Sequence, residues 1–143
     1  VQFITLDRYA PAMHRVLARP PLLDPQSLSD LSAYLAAQPP DSHGEHGDPH
    51  WLGLGRILYN LRCAECHGAH GEGNAQGPIP AVGGQNYSYL LGQLNGFVMG
   101  HRAKVETDLI TAVRSLSAND MKAVADFMSR MPQSADPRYG VVF

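Results

Sequence analysis

At 143 residues, 44% hydrophobic and 17% charged, the chain has the length of one ordinary domain, or of one small domain with an addition, and enough apolar content to fold. No stretch approaches the run of about eighteen apolar residues that a membrane-crossing helix needs. The net charge is −2 and the basic residues are scattered, which argues against nucleic acid as a partner.

Residues 1–23 carry little pattern. Val1 to Arg15 lacks the basic start and apolar centre of a signal peptide. Pro11 is suited to open a short helix with Met13, Val16 and Leu17 on its apolar side, ended by Pro20 and Pro21. From Asp24 to Ala37, Leu28, Leu31, Tyr34 and Leu35 recur at helical spacing, and Pro39-Pro40 stops the helix. Asp41 to His50 is polar and reads as loop. Its histidines, His43, His46 and His50, raise the idea of a bound metal ion. The plainer reading is a flexible, solvated connection, because spacing alone does not build a coordination cage.

Trp51 to Leu61 predicts a helix with Leu52, Ile57, Leu58 and Leu61 apolar, and it runs straight into Cys63-Ala64-Glu65-Cys66-His67. Two cysteines three apart followed at once by histidine form the c-type haem attachment pattern. In that chemistry each thiol adds across one porphyrin vinyl group. His67 becomes the proximal iron ligand, and its second ring nitrogen is free to donate to an orienting carbonyl. A zinc site would want further Cys or His at ligand spacing, and there is no third cysteine. A dithiol redox pair would follow a strand in a βαβ pattern, which is missing. A disulfide stays open on counting alone.

Gly68 to Gln85 holds six glycines and two prolines, the composition of a loop that follows a haem edge closely. Tyr87 to Met99 is again helical, with Tyr89, Leu90, Leu94 and Phe97 apolar. Asp108 to Val113 is a short turn or helix. Ser117-Ala118-Asn119-Asp120 supplies capping residues for a last helix, Met121 to Met131, closed by Pro132. No segment reads as a strand, so the expected fold is all-α.

The order of landmarks from Gly55 to Met131 resembles class I cytochromes c, nearest to the periplasmic tandem-domain members that carry two haems in two similar halves. In that likeness Gly55 and Tyr59 lie where the family's first helix crosses its last, and Val124 and Phe127 answer them. The resemblance implies one covalent haem c on Cys63 and Cys66. It makes Pro80, which opens a Pro-x-x-x-Gly-Gln run, the acceptor for the His67 ring N–H. Gln85, Tyr89 and Arg102 become candidates for the propionate side. It also implies electron transfer to redox protein partners through an exposed haem edge, attachment of the haem outside the cytoplasm, and a signal either removed or lying upstream. Pairing with another cytochrome subunit, or self-association, belongs to the same expectation.

One position departs from the family. Its distal methionine falls seven residues before Leu116-Ser117, where this chain has Leu109, and no methionine occurs between Gly100 and Ser117. Met99, His101 and Met13 are substitutes for the sixth ligand. The alternatives are a five-coordinate iron that takes a small ligand, and a haem chain in which one molecule's histidine ligates its neighbour's iron. No distal acid–base residue is placed to cleave an oxygen–oxygen bond, so an electron carrier is expected rather than an enzyme.

The front of the chain repeats the back ninety-three residues apart. Leu23, Leu28, Leu31, Tyr34, Leu35 and Pro39 fall on Leu116, Met121, Val124, Phe127, Met128 and Pro132. Residues 1–40 thus look like the closing half of a second, similar domain without its haem motif. A His-rich linker (41–50), the haem domain (51–133) and a tail (134–143) follow. Met13 resembles the distal methionine of that half, three residues early. Tyr34 and the leucines would then need burial, against the haem domain or against a missing first half.

Overall fold

A computed structural model describes residues 11–20, 24–38, 44–74, 79–101 and 107–133. These form helices α1 (Pro11–Leu17), α2 (Pro25–Ala36), α3 (Leu52–Arg62), α4 (Ala64–His67), α5 (Tyr87–Val98), α6 (Thr107–Arg114) and α7 (Ala118–Ser129), with a 3-10 turn at Pro49–Trp51. No strand occurs among the described residues. The all-α expectation is met.

Helix α7 is the centre of the packing. Met121, Ala123, Val124, Ala125 and Met128 are buried along it, together with Tyr59 from α3, Leu90 and Leu94 from α5 and Val113 from α6. Its start lies three residues earlier than the apolar spacing suggests, because Ser117 is the cap. The Ser117 hydroxyl accepts the Asp120 N–H at 3.2 Å, and the Asp120 carboxylate accepts the Ser117 N–H at 2.9 Å. This reciprocal pair satisfies two backbone donors that the first turn leaves open. Ser117→Ala is expected to cost about 1 kcal/mol, read as a fall in thermal midpoint of roughly 4–8 °C.

Helices α3 and α7 cross where Gly55 meets Ala123. A Cβ built on Gly55 would stand 2.7 Å from the Ala123 carbonyl carbon and 2.9 Å from the Phe127 Cβ. The absent side chain therefore sets the distance of approach. One turn further on, the Tyr59 and Phe127 rings lie 5.7 Å apart at a 53° tilt and fill the crossing.

Residues 44–51 are more than a solvated connection. The Gly47 N–H donates to Asp126 Oδ1 at 2.8 Å, and the Arg130 guanidinium reaches both that carboxylate and the Gly47 carbonyl. The Tyr87 N–H donates to the Glu45 carbonyl at 2.9 Å, and Ser88 bonds the Glu45 carboxylate. This strap lies across the end of α7 and the start of α5. Among its histidines, His46 Nδ1 meets Ser129 Oγ at 3.1 Å and His50 sits edge-on to Trp51. His43 lies outside the described residues. No group of three metal-binding side chains occurs among the described residues.

Helix α2 buries none of its residues, and Tyr34 is 64% exposed. The burial expected for this aromatic side chain is thus not supplied by the described residues.

Candidate haem site

The attachment peptide is built from the end of α3. The Cys63 N–H still donates to the Tyr59 carbonyl at 2.8 Å, after which the chain turns through the single-turn helix α4 that carries Cys66 and His67. Both cysteines are free, so a disulfide is not formed. Cys63 is half-buried, and burial, reinforced by the neighbouring Cys66, pushes its thiol up to about 11. Cys66 is exposed.

The His67 ring is fixed from one side. Its Nδ1 lies 2.9 Å from the Pro80 carbonyl oxygen. A carbonyl only accepts, so Nδ1 carries the proton and Nε2 presents a lone pair. Burial pushes the imidazole below its usual value, with the Pro80 bond opposing, and this favours the neutral form that ligates a metal. The loop makes the contact possible by folding on itself. Gly73 has φ +70, and a Cβ there would stand 2.6 Å from the Pro80 carbonyl carbon and the Ala81 nitrogen. Only glycine allows both that backbone angle and that approach. The Gly73 N–H also donates to the His67 carbonyl at 2.8 Å, which joins the two sides of the loop next to the ring.

The structure thus brings Cys63, Cys66, His67 and Pro80 together. Gln85 and Tyr89 are half-buried, just before α5 and on its first turn, and Arg102 lies outside the described residues. The three substitutes for a sixth ligand are scattered. Met13 lies on α1 and is exposed. Met99 and His101 flank Gly100 in a Schellman cap of α5, with the Gly100 N–H on the Phe97 carbonyl and the His101 N–H on the Gly96 carbonyl. Met99 is 66% exposed, so it is not a core filler. Leu109, by contrast, is half-buried against the core.

Two thiols and one imidazole with a free Nε2 on a single short peptide suit a porphyrin joined through two thioether bonds with its iron held by His67. The helices around them define a small α-helical c-type haem fold. Comparison with known proteins agrees. The cytochrome c family model matches residues 53–132. The chain is 30% identical over 113 residues to cytochrome c4 of Azotobacter vinelandii, covering 72% of this chain and 53% of that protein. Among solved structures, it superposes on reduced cytochrome c4 from Pseudomonas stutzeri with a TM-score of 0.72 and 25% identity, covering 92% of this chain and 77% of that one. It superposes on thiosulfate dehydrogenase from Marichromatium purpuratum with a TM-score of 0.70 and 28% identity, covering 92% of this chain and 29% of that one. The chain belongs to the cytochrome c family, and its cofactor is the covalent haem c of that family. It spans about half the length of the relatives it matches by sequence.

Proposed function

We propose that the chain is a periplasmic electron carrier with one haem c, anchored on Cys63 and Cys66 and ligated by His67. The observation that carries this reading is the His67 Nδ1–Pro80 bond, which leaves the lone pair of the opposite ring nitrogen available to a metal. When bound, the haem supplies an iron that alternates between ferrous and ferric. The chain's own residues do the rest. Cys63 and Cys66 hold the group in place, and Pro80 orients the imidazole. Tyr59, Leu90, Leu94 and Val124 form an apolar interior that keeps water from reorganising around a changing charge. Gln85 and Tyr89, with Arg102 by the family resemblance, are the candidates to hold the propionates. The partner is a redox protein that docks transiently at the haem edge. The likeness to a thiosulfate dehydrogenase chain supports a role beside a larger oxidoreductase.

Residues 1–40 are read as the closing part of a second unit of the same kind. Helices α2 and α7 keep the same register: Asp24 caps α2 as Ser117 caps α7, and both helices run for twelve residues, ninety-three positions apart. Residues 41–50 join this part to the haem domain at 51–133, and 134–143 form a tail. Haem counted against protein should give one per copy of this chain.

A second reading is favoured by Leu109, which gives the core an aliphatic side chain and the iron no donor. In that case the iron is open opposite His67 and binds a small ligand such as carbon monoxide. Two measurements decide. The mass of the purified protein should exceed that of the bare polypeptide by one haem, and a colourless protein with the bare mass would end both readings. A reduced spectrum unchanged by carbon monoxide assigns a six-coordinate carrier, a rapid shift assigns the open site, and a shift only on dilution assigns a sixth ligand from a second molecule.

A further inference from the structure

The Tyr59 ring fills the helix crossing, a task phenylalanine would do equally well. Its hydroxyl has a different partner. Tyr59 is 0% exposed, and its O–H donates to the Gly68 carbonyl at 2.6 Å. The backbone carbonyl of the same residue accepts the Cys63 N–H at 2.8 Å. Tyr59 therefore grips the attachment peptide at both ends, Cys63 where it begins and Gly68 directly after His67. The pieces between are held internally, with the His67 N–H on the Cys63 carbonyl at 2.9 Å and the Gly68 N–H on the Ala64 carbonyl at 2.9 Å. Burial drives the phenol well above its usual range, so it stays a donor.

We infer that the Tyr59 hydroxyl is a positioning group for His67, fixing the tilt of the imidazole by holding the peptide bond that follows it. The inference rests on the axial role of His67 proposed above. The chain of contacts is short. Gly68 cannot move without turning the His67 backbone, and His67 is tied by its ring to Pro80 and by its carbonyl to Gly73. Loss of the hydroxyl removes one anchor from this frame and leaves the half-buried Gly68 carbonyl with the longer bond from the Gly71 N–H at 3.3 Å.

The test is Tyr59→Phe in the haem-loaded protein, which keeps the ring and deletes one oxygen. In the ferric, cyanide-bound form, the hyperfine-shifted His67 ring resonances should move. Solvent exchange of the His67 Nδ1 proton should accelerate roughly fivefold, the equivalent of one neutral hydrogen bond. The Val124 amide, at the centre of α7, serves as the reference for global opening, and the His67 proton should accelerate by more than it does. If His67 and Val124 exchange accelerate equally while the ring resonances stay in place, the hydroxyl contributes stability alone and the inference is overturned. Unchanged resonances with unchanged exchange would overturn it too. If Tyr59→Phe does not accumulate, Phe127→Leu, which loosens the same crossing but keeps the hydroxyl, gives the comparison. It should lower stability and leave the His67 resonances where they are, and a shift in them would overturn the inference. A wild-type protein without haem would instead fail the functional reading, before Tyr59 comes into question.

Discussion

Gly55→Val is expected to destabilise the protein by about 3 kcal/mol, at the upper end of what overpacking costs, and to lower the thermal midpoint by roughly 12–24 °C. The reason is what the new side chain would meet. A Cβ at this position runs into the Ala123 carbonyl group and the Phe127 Cβ, so it faces backbone and the root of a side chain, neither of which can swing away. Helix α3 must then withdraw from α7, and Tyr59 and Phe127 separate. The same helix provides its own control. A Cβ on Gly53 has nothing within 4 Å. Gly53→Ala should therefore stabilise by up to about 1 kcal/mol through helix propensity alone. Melting followed by circular dichroism would settle the comparison. Equal effects at the two glycines would mean that the crossing is not set by Gly55.

Much of this arrangement is legible in the sequence because it depends on local signals. The attachment peptide is contiguous. Pro80 follows a glycine-rich run, Ser117 and Asp120 announce a helix start, and Gly55 and Tyr59 keep a fixed distance from Cys63. The helix bounds shift only at ends, where the cap decides more than the apolar spacing does. The start of α7 at Ala118 is the example. What stays hidden joins residues distant in sequence through polar atoms. Gly47 and Asp126 are 79 positions apart, and neither alters an apolar pattern. One sequence signal exists: Asp126 stands between Val124-Ala125 and Phe127-Met128, and a carboxylate in so apolar a stretch of helix demands a partner. The Tyr59 hydroxyl was hidden for another reason. Its ring already has a packing explanation, and spacing does not distinguish a tyrosine from a phenylalanine at a helix crossing.

The position of the sixth ligand follows a different logic. Methionine and histidine on a helix end, such as Met99 and His101, look equally available in sequence. The Schellman cap places both beyond the last turn of α5, on either side of Gly100. Leu109 is half-buried and packed against the core cluster. The helical frame thus fixes the His67 side of the site firmly, through Pro80, Gly73 and Gly68. Among the described residues, the three candidates for the opposite side lie on separate elements, Met13 on α1 and Met99 and His101 beyond α5.

The strap should be the second point of failure. Asp126 is 1% exposed and its Oδ1 accepts from both the Gly47 N–H and Arg130 Nε. Asp126→Ala leaves the half-buried Gly47 N–H without this acceptor and the Arg130 guanidinium without its counter-charge. The expected loss is about 2–3 kcal/mol, below the range for a fully buried pair because Arg130 remains partly in water. Asp126→Asn should cost less, since an amide oxygen can still receive the Gly47 N–H. The consequence should also be local. With Asp126 gone, Arg130 keeps only the Gly47 carbonyl from this group of contacts, and the Gly47 and His46 amides should exchange with solvent far faster. The loop around the Pro80 carbonyl is held separately, and the His67, Gly68 and Gly73 amides should retain their protection. Hydrogen exchange resolved by residue separates the two cases. If the loop loosens together with the strap, the end of α7, where Gly84 donates to the Met128 carbonyl, transmits the loss. Strap and haem loop would then open as a single unit.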